Sequence, residues 1–154
     1  MIRADILPCS EADALYIGAH MRDADKAEMH ALGLAPYSVA IRAFNASFET
    51  KCGSLNGVPV CMYGVGLPSL FGKLARPWLM ATDDIEKCRT TFLRRSRAQV
   101  ADWLDRYEVL ENMIDARNTL SIAWLKWLGF KMSEPFAVAS GHKFMVFTKR
   151  QGDV

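Results

Sequence analysis

With 154 residues, 51% of them hydrophobic and 23% charged, the chain has the length and balance of one globular domain with a real core. A net charge of +2 argues against a dedicated nucleic-acid binder, and no apolar run approaches the ~20 residues that span a bilayer. The opening MIRADILPCSEADAL carries acids where a signal peptide would carry its apolar stretch, which argues against secretion by that route.

In chain order, IRADILP reads as a first strand ended by its proline. Ser10 opens a helix, with Asp13 three residues on to complete a capping box. After Arg22, DADKAEMHALG reads as a second short helix with Gly33 as its C-cap, since glycine reaches the left-handed conformation cheaply. YSVAIRAFNASFETKCGSL and GVPVCMYGVGL are rich in β-branched, aromatic and small residues and read as strands. Asn56-Gly57 between them is a strong hairpin signal, because both residues tolerate positive φ. PSLFGKLARP reads as a loop and WLMAT as a short buried strand.

DDIEKCRTTFLRRSRAQVADWLDRY is expected to be one long helix. Ile85, Cys88, Phe92, Ser96, Val100 and Trp103 recur at intervals of three and four on one face, and Asp83 and Glu86 have capping-box spacing. YEVLENMID reads as a strand, NTLSIAWLKWLGF as a second long helix, and FAVAS with KFMVFTK as a strand pair around Ser140-Gly141. With no repeat, linker or low-complexity segment, the expectation is a single domain over 1–149 and a polar tail over 150–154. The central alternation of strand and helix predicts an α/β domain with a partly parallel sheet.

Cys9, Cys52, Cys61 and Cys88, with His20, His30 and His142, are dispersed and give no local metal-ligand spacing. They read as reduced thiols and ordinary histidines, with no metal site expected; a pairing assembled at long range stays open.

The element order, closing in Asn118-TLSIAW-Leu125-KW-LGF, resembles the GNAT N-acetyltransferase superfamily, whose last helix commonly reads N-x-x-A-x-x-x-Y-x-x-x-GF. The resemblance implies a mixed, partly parallel sheet of about six or seven strands flanked by about four helices. More narrowly, MRDADKAEMHALG, ARPWLMAT and ENMIDARNTLSIAWLKWLGF look like small internal virion protein A-type proteins of short-tailed bacteriophages, which carry a GNAT-like domain. That likeness implies a phage or host protein as partner, in the host cytoplasm and the virion.

In GNAT enzymes the strand before the long helix binds the pantetheine arm of acetyl-CoA, and a glycine-rich loop cradles the pyrophosphate at a helix N-terminus. If acetyl-CoA binds here, the resemblance puts Met80, Ala81, Thr82, Lys87, Arg89 and Asn118 against it. The loop position, however, reads DDIEKCRTT, with no glycine between Gly72 and Gly129 and with Asp83, Asp84 and Glu86 where an anion would sit. Those acids serve equally well at the start of a helix. Leu125 occupies the position of the tyrosine that protonates the leaving thiolate, and leucine donates no proton. Tyr107, Glu108 and Glu111 are the nearest candidate bases, although exposed acids are commonly just solvated.

Asn118 also suits a helix N-cap, Trp124 and Trp127 suit core or an interface between copies, and Arg94, Arg95 and Arg97 suit a solvated face. The leading expectation is therefore a GNAT-fold phage protein that has lost catalysis, needs no cofactor and works by protein contacts in assembly or infection. The alternatives are an active acetyl-CoA-dependent N-acetyltransferase for a protein or small-molecule amine, and an effector that binds a host protein.

Overall fold

The computed structural model describes residues 3–69 and 71–153. Ile2 and Val154, parts of the expected first strand and tail, lie outside the described residues, as does Leu70 of the expected loop. The N-terminal strand β1 (Ala4–Pro8) is followed by three helices, α1 (Glu11–Ala19), α2 (Asp23–Ala31) and α3 (Pro36–Ala46). The hairpin β2 (Glu49–Leu55) and β3 (Val58–Gly66) leads into β4 (Leu74–Ala81) and α4 (Arg89–Arg106). Then come β5 (Val109–Asp115), α5 (Thr119–Trp127), β6 (Lys131–Met132), β7 (Phe136–Ala137) and β8 (Lys143–Arg150). The sheet order is β1-β2-β3-β4-β5-β8-β6, with β7 also on β8, and only the β4–β5 neighbours are parallel among the described residues.

Local chemistry explains most of the elements. The capping box at α1 forms as expected: the Asp13 N–H donates to Ser10 Oγ at 3.1 Å, and the Ser10 N–H donates to Asp13 Oδ2 at 2.9 Å. Asn56 and Gly57 both take positive φ, 51° and 81°, at the tip of the β2–β3 hairpin. Asn118 caps α5, its side chain accepting from the Ser121 N–H. Gly129 (φ 93°) ends the same helix in a Schellman turn, in which the Phe130 N–H reaches the Leu125 carbonyl and the Gly129 N–H the Lys126 carbonyl, each at 3.0 Å.

The structure corrects the expected boundaries in several places. Residues 37–46, read as strand, lie in α3: Pro36 suits the first helical position, and Val39, Ala40, Ala43 and Phe44 lie on its packed side. The strand read as WLMAT begins at Leu74, inside the expected loop, and runs through Pro77. The expected Asp83–Glu86 capping box is absent: Asp83–Cys88 is a 3-10 helix that buries Ile85, no side chain caps it, and α4 starts only at Arg89. The C-terminal strand reaches Arg150, so the sheet extends one residue into the expected tail. With β6 as an additional short strand, the described residues hold eight strands and five α-helices rather than six or seven and four.

The sheet separates two apolar layers. Along β3, Met62 points to α1–α3, while Tyr63 and Val65 point to α4 and α5, the period-two alternation of a strand buried on both faces. Met62 and Met80 close one layer with Ala14, Ile17, Met29 and Ala40. Here α1 and α3 cross tightly at Gly18, where a Cβ would stand 3.1 Å from that of Ala40. The other layer joins Phe92, Val100 and Trp103 of α4 and Trp124 of α5 to Leu110, Phe130 and Phe147.

Candidate functional site

Strands β4 and β5 pair only at Leu74–Val109 and Ala75–Leu110, and then they part. Parting strands turn backbone N–H and C=O groups into the gap, and such groups need partners if water is excluded. Side chains supply them. Asn112 spans the gap, its Nδ2 donating to the Pro77 carbonyl at 3.1 Å and its Oδ1 accepting from the Met113 N–H at 2.9 Å. Pro77 fits here because the lost ladder is the one its missing N–H would have served.

Further along, α2 closes the open end. Arg22, Asp25 and Glu28, three residues apart at and along this helix, meet the ends of both strands. Asp25 Oδ2 accepts from the Ala81 N–H of β4 at 3.0 Å, and Glu28 Oε1 accepts from the Asp115 N–H of β5 at 2.8 Å. Arg22 ties this row together. Its N–H donates to the Ala81 carbonyl, its guanidinium pairs with Asp25 at 2.9 Å, and it also reaches Ser121 Oγ on α5 at 3.2 Å. Both members of the Arg22–Asp25 pair are buried.

Burial alone would depress the Arg22 pKa, but the hydrogen bond and charge of Asp25, with Glu86 and Asp83 beyond, hold it above its ordinary value. Burial pushes Glu28 up to about 7, against the Asp115 N–H and Arg22, which favour its anion, and with Asp25 and Asp115, which oppose it. Asp115 lies below the usual carboxylate range because the Arg117 side chain bonds both its oxygens. Glu28 is thus a carboxyl that can gain or lose a proton near neutrality.

Behind the gap, between α4, α5 and the sheet, lies a cavity of about 160 Å³. Its lining is mainly apolar and includes Tyr63, Leu79, Phe92, Trp103, Trp124, Leu125, Phe130 and Phe147, with Asp25, Ser96, Gln99, Asn112, Asn118 and Ser121 as polar members.

Of the residues singled out from the sequence, Ala81 and Asn118 lie at this place. Ala81 gives its N–H and C=O to α2 and its Arg22 cap, and Asn118, buried, lines the cavity while capping α5. Met80 faces the α1–α3 layer instead. Thr82 is buried, with its N–H on the Val60 carbonyl and no partner for Oγ1 among the described residues. Lys87 pairs with Asp84 at 3.1 Å on the outside of the 3-10 helix, and Arg89 is exposed at the start of α4. Glu108 sits at the closed end of the strand pair, bonded to Lys73, and Glu111 accepts from Thr148 Oγ1; neither meets Asp25 or Glu28. Tyr107 ends α4, away from the row on α2. Trp124 is core, and Trp127 is half exposed beneath the Arg97 guanidinium, 3.8 Å from its ring centroid. Among the described residues no group of three or more His, Cys, Asp or Glu side chains could hold a metal, and no helix is long and apolar enough to cross a membrane.

Arg22, Asp25, Glu28 and Asn112 were not singled out from the sequence. The three-residue spacing of the first three was visible, but nothing local said that this stripe would face two strand ends more than fifty residues away.

The chain is similar in structure to an acetyltransferase candidate from Acinetobacter baylyi, at 16% identity with a TM-score of 0.74, covering 97% of this chain and 94% of that one. A GNAT-family acetyltransferase candidate from Chromobacterium violaceum matches at 12% identity and a TM-score of 0.70, over 97% and 84% of the two chains. The chain has the GNAT fold. A Salmonella typhimurium protein of this fold, solved with its cofactor acetyl-CoA, matches at 13% identity and a TM-score of 0.60, over 98% and 95%. No protein-family model and no curated protein matches the chain.

Proposed function

We propose that this GNAT-fold protein does not transfer acetyl groups and acts through protein contacts in the assembly or infection of a short-tailed bacteriophage. The observation that carries the loss of catalysis is the self-satisfied gap: Asp25, Glu28 and Asn112 bond the Ala81, Asp115 and Met113 N–H groups. A pantetheine arm hydrogen-bonded between β4 and β5 would compete with these side chains, and one contact it would break is braced by a buried ion pair. Two further features support the reading. The turn after β4 is wound into a 3-10 helix carrying Asp83, Asp84 and Glu86, where like charge repels a pyrophosphate. Leu125, in the tyrosine position, presents no proton to the cavity it lines. The phage context, with a phage or host protein as partner and the host cytoplasm and virion as locations, rests on the sequence likeness alone.

Calorimetry with acetyl-CoA tests the first part, with no saturable binding expected; tight binding would overturn it. Mass spectrometry of purified particles tests the second. The protein is expected in the virion, and its absence there would favour an effector that binds a host protein.

A second reading, an active N-acetyltransferase, is favoured by one observation: Glu28, bonded to the Asp115 N–H at the end of β5, has its pKa pushed up to about 7, the range of a general base. Acetylation of an amine panel that disappears in Glu28→Gln would establish it.

A further inference from the structure

We propose that Cys9 and Cys52 form a site of reversible oxidation, which takes a small aliphatic disulfide as its oxidant and clamps the α1–α3 layer to the edge of the sheet. Cys9, Cys52, Cys61 and Cys88 are all free thiols. The sheet sorts them by face. Cys61 belongs to the apolar layer under α4 and α5, and Cys88 packs against the same layer. Cys52 stands opposite Met62 in the β2–β3 ladder, so the two share a face, and Met62 belongs to the α1–α3 layer. Cys9 packs against that layer too. The sheet itself therefore stands between either of these thiols and Cys61 or Cys88.

Strand register brings the pair together. Leu7 of β1 stands opposite Cys52, and the ladder continues past β1, because the Cys9 N–H donates to the Thr50 carbonyl at 2.9 Å. Cys9 and Cys52 are thus diagonal neighbours on one face, a relation that sets Cα atoms ~7–8 Å apart. Their side chains close that span: the Cys52 thiol lies within hydrogen-bond reach of the Cys9 sulfur. A disulfide draws Cα atoms somewhat closer, to ~4.4–6.8 Å. The chain at Cys9 can supply the movement, since β1 is at the edge of the sheet, with β2 its one strand partner among the described residues.

The two thiols have different roles. Cys9 is partly exposed and Cys52 is buried. The bond from Cys52 holds the Cys9 thiol below its ordinary pKa, against burial and Asp13, so Cys9 is the one to ionise. The same bond, with burial, pushes Cys52 up. The Cys9 thiolate attacks one sulfur of the small disulfide, whose S–S bond breaks, and one half leaves as a thiolate that takes up a proton. The Cys9 sulfur of the resulting mixed disulfide bears no charge, so the main cause of the raised Cys52 pKa is gone. Cys52 then gives its proton to solvent, attacks Cys9 Sγ and expels the second half as a thiolate, which is protonated in turn. Two protein thiols are oxidised and one small disulfide is reduced to two thiols. The new bond closes the loop from residue 9 to residue 52, which contains α1, α2 and α3, and so removes freedom from the unfolded chain. Neither sulfur belongs to the gap between β4 and β5, so the proposal stands apart from whether acetyl-CoA binds.

The test incubates the intact, reduced chain with oxidised glutathione and follows it by intact mass and by fragmentation of its cross-linked peptides. The expected product has lost two hydrogen atoms, carries a Cys9–Cys52 bond and reverts with dithiothreitol. Cys9 is expected to react several-fold faster than Cys88, which is also partly exposed but whose thiol is pushed up by burial and by Asp84. In Cys52→Ser the glutathione adduct on Cys9 should accumulate, because no second thiol displaces it, and in Cys9→Ser no bond within the chain should form. The thermal midpoint of the oxidised chain should lie several degrees above that of the reduced one, and the gain should vanish in Cys9→Ser. Should Cys52→Ser fail to fold, the peptide map of the unaltered chain and Cys9→Ser decide. A lasting Cys9 adduct in the unaltered chain, a bond between Cys61 and Cys88 or between two copies in place of Cys9–Cys52, no reaction, or a midpoint that does not rise overturns the proposal.

Discussion

Asp25 Oδ2, on the second helix, accepts a hydrogen bond from the backbone N–H of Ala81, at the end of β4, over 3.0 Å. The same carboxylate is paired with buried Arg22, so a single side chain joins a helix, a strand edge and an ion pair. Removing it leaves the Ala81 N–H without a partner and the buried Arg22 charge with only the neutral Ser121 Oγ. Asp25→Ala is therefore expected to lower stability by about 3 kcal/mol, the scale on which broken buried pairs fall. Urea unfolding reads this directly, and a loss below about 1 kcal/mol would show that solvent replaces the carboxylate.

Glu28 gives the protein a pH dependence of definite sign. Its folded pKa is raised from 4.5 to about 7, so the native state holds this proton more tightly than the unfolded chain. Its contribution to stability is fully present below about pH 4.5 and is lost as pH rises through about 7. Glu28→Gln removes the titration and leaves an amide oxygen to accept from the Asp115 N–H. The difference in unfolding free energy between the two proteins should change by about 1–3 kcal/mol between pH 4.5 and 8. A difference that stays flat across that range would contradict the raised pKa.

Asn112 is the side chain that bridges the parted strands. Asn112→Ala removes its bonds to the Pro77 carbonyl and the Met113 N–H together and is expected to cost about 1–3 kcal/mol. Amide exchange at Met113 should also quicken. Unchanged protection at Met113 would mean that another group holds this edge.

Gly129 stands at φ 93° in the turn that ends α5, and an added Cβ would meet the Lys149 ammonium. The lysine end can swing away, so the main cost of Gly129→Ala is backbone strain, about 1–2 kcal/mol. Thermal denaturation should show a lower midpoint for Gly129→Ala and a smaller loss for Gly129→Asn, since asparagine tolerates this region better. Equal midpoints for alanine and glycine would contradict the assigned turn.

What the amino-acid sequence determined by itself is what short-range chemistry controls. The Ser10 capping box, the Asn56-Gly57 hairpin, the Asn118 cap and the Gly129-Phe130 stop each depend on residues a few positions apart, and each appears where the sequence puts it. The resemblance that led to the correct fold class rested on the order of such locally coded elements together with the last helix, whose motif is a helix start and a helix stop. Tertiary structure decided the rest. Residues 37–46 have strand-like composition, but Pro36 and packing against α1 make them helix. The acids after β4 look like a helix cap, but burying Ile85 tightens them into a 3-10 helix. The row Arg22, Asp25 and Glu28 acquires its role only when two strands part and expose N–H groups that these side chains then bond. A hydrogen bond between residues 25 and 81, or 28 and 115, has no local signature, since its partners become neighbours only once the sheet has formed and its two strands have diverged.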